Sequence, residues 1–204
     1  VLDIAMKDGN LKKIEVEGGL GLIASRLSIQ GPLKKEKASF IISARRTYID
    51  ALVKPFVKKN SSFYGSGYYF YDLNTKVNYK FSDKDRLYLS GYFGRDVFDF
   101  KNNQRSFSAN IPWGNATATV RWNHLFHQKL FTNTTLVFNN YNFAFNANQN
   151  NLAFNVSSGI RDLTAKFDMD YYPNPQHKMR WGLQYTYHTF KPNLVSGRTD
   201  SIDF

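Results

Sequence analysis

The stretch DLNTKVNYKF, residues 72–81, alternates without a slip: Asp72, Asn74, Lys76, Asn78 and Lys80 fall on one side, and Leu73, Thr75, Val77, Tyr79 and Phe81 on the other. Successive side chains of a strand point to opposite faces, so the stretch predicts a two-faced strand. The pattern returns at similar length. Asn115, Thr117, Thr119, Arg121 and Asn123 oppose Ala116, Ala118, Val120 and Trp122; Asp162, Thr164, Lys166, Asp168 and Asp170 oppose Leu163, Ala165, Phe167, Met169 and Tyr171. Lys178, Arg180, Gln184, Thr186 and His188 oppose Met179, Trp181, Leu183, Tyr185 and Tyr187. Repeated two-faced strands separated by turns are the unit of an antiparallel transmembrane β-barrel wall.

Length alone does not demand a membrane, because 204 residues suffice for one soluble domain. Composition is more telling. The chain has 18 Phe, 13 Tyr and 3 Trp, yet its mean hydropathy is −0.47, as expected when apolar side chains line one side of many strands. A transmembrane helix needs ~20 consecutive apolar residues, and the sequence has no such run. Val1 opens directly into Asp3, Lys7 and Asp8 without the apolar region of a signal peptide, so the chain reads as a mature or internal piece. The lack of cysteine removes disulfides, thiolate metal sites and cysteine nucleophiles, and leaves the compartment open. A net charge of +11 would suit nucleic acid, but the basic residues are spread over turns and strand faces, without a recognition helix or compact basic tract. Anionic lipid headgroups or a charged barrel interior explain the excess, and no nucleic-acid partner is expected.

Along the chain, residues 11–33 read as one long strand or a hairpin, with Gly31-Pro32 and Lys34-Lys35-Glu36-Lys37 breaking the pairing. A strand over 38–50 precedes a long loop, 51–67. Strands over 69–81 and 86–98 meet at Ser82-Asp83-Lys84-Asp85, and 101–112 reads as a polar loop. From Trp113 a strand runs to the turn His127-Gln128-Lys129. Residues 130–145 begin with Leu136 and Phe138 in phase and shift to Tyr141, Phe143 and Phe145, which suggests a bulge or the exit from a bilayer. After Asn-rich 146–151, a strand runs to Tyr172, turns at Pro173-Asn174-Pro175-Gln176, and returns; 191–204 reads as a loop-like tail. The count is eight or nine antiparallel strands. Short connections at 32–37, 82–85, 127–129 and 173–176 alternate with longer ones at 51–67 and 101–112. In outer-membrane barrels the short turns face the periplasm. Tyr68, Tyr69, Phe70 and Tyr71 at one strand end, with Tyr79 and Phe81 at the other, suit interfacial girdles.

Two stretches, VLDIAMKDGN followed by GGLGLIASRLSIQGPLKKEKASFIISARRTYID, resemble the plug-to-barrel junction of TonB-dependent outer-membrane receptors, particularly the Bacteroidota type. GYYFYDLNTKVNYKFSDKDRLYLSGYFGRDVF and WGNATATVRWNH are similar to the same receptors' early barrel strands. The resemblance implies that residues 1–10 end a plug domain, with Val1 to Lys7 as its last strand, and that 11–204 form the N-terminal part of the barrel. Such receptors are ~22-stranded barrels with a plugged lumen, so a partial barrel is implied, with 11–33 as a hairpin and the chain ending in an external loop at Phe204. The implied role is binding and import of a bulky nutrient, of siderophore, glycan or peptide class, in the outer membrane of a Gram-negative bacterium. The implied partners are outer-membrane lipid, the rest of the barrel and plug, a TonB-type energy-coupling protein acting through the plug region, and a surface lipoprotein.

The sequence offers little chemistry of its own. Asp162, Asp168 and Asp170 share a face with Lys166, but catalytic carboxylates need a defined pair in a cleft and metal loops need clustered oxygens; charges paired across a polar interior account for them. His124, His127, His177 and His188 are dispersed. No phosphate loop and no nucleophile signature occurs, so catalytic residues, metal ligands and cofactors are all expected to be none, and the protein is expected not to be an enzyme. Arg45 and Arg46 must face opposite sides, one toward an interior and the other near a headgroup boundary or bulge. Phe63 and Tyr64, in the 51–67 loop, are the ligand-binding candidates, because exposed rings there can stack on a sugar or base. Two alternatives stay open: a complete eight-stranded barrel acting as an adhesin or anchor, and a soluble β-sandwich binding carbohydrate.

Overall fold

A computed structural model describes residues 6–150, 152–199 and 202–203. Ten strands follow one another in chain order as a single antiparallel sheet: β1 (Glu15–Leu20), β2 (Ala24–Lys34), β3 (Ala38–Thr47), β4 (Gly67–Lys80), β5 (Asp85–Asn102), β6 (Phe107–His127), β7 (Leu130–Gln149), β8 (Leu152–Asn174), β9 (His177–Thr199) and β10 (Ile202–Asp203). Residues 11–33 hold a hairpin, β1–β2, so nine strands meet the sequence count and the two-residue β10 adds to it. Among the described residues the first and last strands have one partner each, so the sheet is open. The fold is all-β, an antiparallel partial barrel wall.

The two faces sort as the alternation requires. Val77 pairs with Phe40 and Leu89, Leu89 with Val120, Val120 with Leu136, Leu136 with Ala165 and Ala165 with Tyr185, all on one side. These rows form an apolar belt, and on β8 it runs from Leu163 to Tyr171, the ~9–11 residues that a bilayer crossing needs. Nothing among the described residues covers the belt: Leu183 is 75% exposed and Leu163 56%. Among the described residues the buried apolar side chains are Ala38, Val97 and Ala109, far too little for the core of a soluble domain of this length. The opposite face carries several of its charges in pairs. Asp170, 2% exposed, accepts from Arg180 Nε at 2.7 Å; Asp72 accepts from Arg45 Nε at 2.8 Å; His188 Nδ1 lies 2.7 Å from Asp162; and Lys166 Nζ is 3.1 Å from Asp168. Arg46 is on the belt side, next to Ser25 and Tyr71.

Several boundaries differ from the sequence reading. Residues 101–112 are not a loop: β5 continues to Asn102, a short 3-10 turn covers Asn103–Arg105, and β6 starts at Phe107. Residues 146–149 and 191–199 likewise continue β7 and β9. Pairing also continues through Gly31↔Phe40 and Pro32↔Ser39, with the irregularity only after Pro32. The loop after β3 opens with a short helix, α1 (Ile49–Val53), and a 3-10 turn, Lys54–Phe56. No helix among the described residues is long and apolar enough to cross a membrane. The connections at one end, about 35–37, 82–84, 128–129 and 175–176, are tight. There Ser82 Oγ accepts from the backbone of Lys84 and Asp85, both at 3.1 Å, which closes the β4–β5 turn. At the far end the excursion is made by the strands themselves. At ~3.3 Å per residue the 23 residues of β8 extend about 75 Å, roughly three times a ~25 Å belt.

The chain before β1 crosses the polar face. Lys76 Nζ donates to the Met6 carbonyl at 2.7 Å and lies 2.6 Å from Asp8. A Cβ at Gly9 would sit 2.1 Å from the Phe40 carbonyl oxygen, so only glycine lets the segment lie flush on β3. Met6 and Lys7 belong to no strand; the rest of the expected plug strand, Val1 to Ala5, and the terminal Phe204 lie outside the described residues.

Candidate ligand-binding face

The phase shift in β7 is not a bulge. Its register with β8 runs unbroken from Leu130↔Tyr171 to Gln149↔Leu152. What changes is the chemistry of each side. Leu136 and Phe138 lie on the belt face; above them the same face carries Asn140, Asn142, Asn146 and Asn148, while the opposite face takes Tyr141, Phe143 and Phe145. Neighbouring strands invert at the same height. On β8 the belt face passes from Leu163 to Arg161 and Asn155, and the opposite face from Asp162 to Ile160, Val156 and Phe154. On β5 the belt face passes from Phe93 to Arg95 and Asp99, and the opposite face gains Phe98 and Phe100. Below this line the face is polar, with paired charges among its residues; above it, the same face is aromatic.

The rings meet in three groups on this face. Phe63 meets Phe100 at 5.7 Å between centroids, and Phe100 meets Phe107 at 6.0 Å. Tyr68 stacks on Trp113 at 6.3 Å and tilts against Phe70 at 6.2 Å, and Phe145 meets Phe154 edge-on at 6.4 Å. Polar groups are few and fixed. Tyr68 Oη donates to Asp96 at 2.6 Å, and this hydrogen bond to a carboxylate, helped by burial, pushes the phenol up to about 12. The Arg45 guanidinium, held by Asp72, sits 4.8 Å from the Phe70 ring centre. At the line of inversion the Asn115 Oδ1 is buried without a hydrogen-bond partner among the described residues. A face of stacked rings with a few oriented polar groups binds flat or apolar surfaces by stacking and burial. It carries no nucleophile–base arrangement, and among the described residues no three His, Asp or Glu side chains group to hold a metal.

Phe63 and Tyr64, the sequence candidates, part company here. Phe63 is exposed and its ring continues the aromatic row. Tyr64 is half-buried, and its carbonyl accepts from Asn103 Nδ2 at 3.2 Å. The loop is fastened to the β5–β6 turn by that bond, by Asn103 N to the Ser62 carbonyl at 2.8 Å and by Lys101 N to Ser66 Oγ at 2.7 Å. Tyr68 and Phe70, expected in an interfacial girdle, instead lie on the face opposite the belt, because alternation sends them to the side of Asp72 while Tyr69 and Tyr71 go to the side of Val77. Phe98, Phe100, Phe107 and Phe154 lie in segments with polar neighbours; the signal for them is the shift from Leu136 and Phe138 to Tyr141, Phe143 and Phe145 within an unbroken strand.

No family model and no curated protein matches the chain. Among solved structures it is similar to the ferric yersiniabactin uptake receptor FyuA from Yersinia pestis, with a TM-score of 0.60 and 13% sequence identity. The likeness covers 97% of this chain and 35% of that receptor, so the chain spans about a third of its length. At that identity the likeness speaks for the fold alone: a stretch of antiparallel β-barrel wall.

Proposed function

We propose that the chain is part of a TonB-dependent receptor of Bacteroidota type in the outer membrane of a Gram-negative bacterium, and that it helps to bind and import a bulky nutrient. In this reading the belt faces lipid, the paired charges face the lumen, and the short turns face the periplasm. Residues 1–10 are the end of the plug, and 11–204 are the N-terminal barrel wall. The observation that carries the proposal is the inversion: a belt of bilayer height, with strands that run on beyond it and turn their rings inward. The likeness to an uptake receptor and the Met6–Asn10 segment held on the lumen face by Lys76 support it. The aromatic face, with Phe63 and Tyr64 at its rim, serves as the outer vestibule, and its ring faces suit a ligand with planar or apolar surfaces within the siderophore, glycan and peptide classes. Energy enters through the plug from a TonB-type partner, and a surface lipoprotein can close the vestibule from outside. No catalytic role is assigned.

The test is topological, and the chain's lack of cysteine keeps it clean. In the full-length protein on intact cells, Ser61→Cys should react with a membrane-impermeant maleimide, and Ser82→Cys and Gln128→Cys only after the outer membrane is permeabilised. Labelling of Ser82→Cys on intact cells reverses the orientation, and labelling of none after permeabilisation removes the membrane assignment.

A further inference from the structure

One carboxylate on the face opposite the belt has no cation. On that face Glu15, Glu17, Asp72, Asp162, Asp168 and Asp170 each have a Lys, Arg or His nitrogen within 3.3 Å. Asp96, on β5, has none among the described residues, and its side chain takes one hydrogen bond, from Tyr68 Oη at 2.6 Å. The segment before β1 brings it no cation either. That segment is held by Lys76, whose register partner is Ser90, and Asp96 stands ~20 Å further up the same strand.

Rings surround Asp96 instead. Its partner across β4 is Phe70 and across β6 is Trp113, and Tyr68 leans on both, at 6.2 Å and 6.3 Å between centroids. Tyr92 closes the side toward the belt. Gly94, between Tyr92 and Asp96 on this face, has no side chain, and a Cβ there would run into the Tyr92 hydroxyl, so the ring lies over the glycine. A hollow of about 150 Å³ remains, lined on this face by Arg45, Asp72, Asp96, Tyr68, Phe70 and Tyr92. Whole-ligand pockets measure ~300–1,000 Å³, so this one admits a head group. Its charge follows from its lining: Arg45 is engaged by Asp72 and already lies over the Phe70 ring, which leaves Asp96 uncompensated. Burial, with Asp72 and Asp96, pushes the Tyr92 phenol up, as a negative field in the hollow requires. Ring faces set around a carboxylate attract an ammonium or guanidinium group by quadrupole and charge together, and a neutral or anionic head group gains neither.

We propose that this cage is a cation subsite, in which Asp96 and the rings of Tyr68, Phe70, Tyr92 and Trp113 hold an ammonium or guanidinium group carried by the nutrient. The proposal rests on the aromatic face being a ligand vestibule, and it narrows the ligand: among the siderophore, glycan and peptide classes it selects a peptide with a lysine or arginine side chain. Such a side chain has an apolar stem that lies along ring faces while its charged end reaches the carboxylate.

The experiment measures, by equilibrium dialysis at fixed ionic strength, the binding of two probes to the full-length protein in detergent: acetyl-Trp-Lys-amide and the neutral acetyl-Trp-norleucine-amide. The lysyl probe should bind about tenfold more tightly, the size of a partly desolvated cation–π contact. Asp96→Asn, which keeps an acceptor for Tyr68, should bring the lysyl probe down to the level of the norleucyl one and leave the latter unchanged. Asp99→Asn removes the same charge from the other face of β5 and should leave the preference intact. Tetramethylammonium chloride should displace the lysyl probe where sodium chloride at the same concentration does not. A preference that survives Asp96→Asn, or one lost equally in Asp99→Asn, would overturn the cation subsite. The norleucyl probe reports on the vestibule itself: equal binding of the two probes removes the subsite alone, whereas binding of neither removes the vestibule reading with it.

Discussion

Tyr68 is one residue whose environment can be read directly. Its phenol, bonded to Asp96, should ionise near 12 against an ordinary value of ~10. A raised pKa favours the neutral form, so the contact contributes fully below pH ~10 and is lost as pH rises through the folded value. In ultraviolet titration near 295 nm of the full-length protein, Tyr68→Phe should remove one late-ionising tyrosine from the wild-type curve and Asp96→Asn should return one toward the ordinary range; burial also pushes Tyr92 up, and neither change should move that contribution far. Leu183 and Gln184 test the faces at the same scale, since both are exposed in the chain. Leu183→Arg puts a charge on the belt and should cost ~2–4 kcal/mol of barrel stability, while Gln184→Arg should stay within about 0.5 kcal/mol. Heat-modifiability and folding yield separate them, and equal effects would count against a lipid-facing belt. Not every polar-face residue is so tolerant: Asn78 is buried and its Nδ2 donates to Ser39 Oγ at 2.7 Å.

At the scale of elements, the segment before β1 and strand β4 depend on one lysine. Lys76 holds both the Met6 carbonyl and Asp8, and its side chain is 15% exposed. Lys76→Ala should release the segment at a cost of about 1–2 kcal/mol. Limited trypsin cleavage after Lys7 of the full-length protein should then quicken by roughly fivefold or more, in step with the open population. Strand faces were legible in the sequence wherever apolar and polar residues alternate within the belt, as in 72–81 and 162–171. The extensions were not. Lys101, Ser108 and Asn110 read as loop because polar residues in a short window suggest solvent, and on the belt face above the belt they do meet solvent. Phe100, Phe107, Ala109 and Ile111, alternating with them, are the strand's other face. The aromatic vestibule was hidden for the same reason, and Phe63 was found because a ring in an evident loop stands out.

For the whole molecule, the open edges dominate. Among the described residues β1 and β10 each lack a partner on one side, and unpaired backbone groups in lipid cost several kcal/mol each. Produced alone, the chain should associate edge to edge or aggregate. Sedimentation in detergent should find oligomers, whereas a detergent-free monomer with a cooperative thermal transition would mean that the sheet packs on itself. A single chain-order sheet was legible from the turns and the even strand spacing. That the sheet leaves almost no apolar side chain buried could be seen only with the faces assembled.

The inversion in β7 also fixes alignment. In a uniformly alternating strand, sliding by two residues keeps every side chain on its proper face, and only the ends object. Here Asn140 stands beside Arg161 and Tyr141 beside Ile160. A two-residue slide one way would set Asn140 beside Leu163 and Tyr141 beside Asp162; the other way would set Phe138 beside Arg161 and Asn139 beside Ile160. Either slide mismatches both faces at once, so the change of phase acts as a vernier that rejects the even slips alternation alone would tolerate.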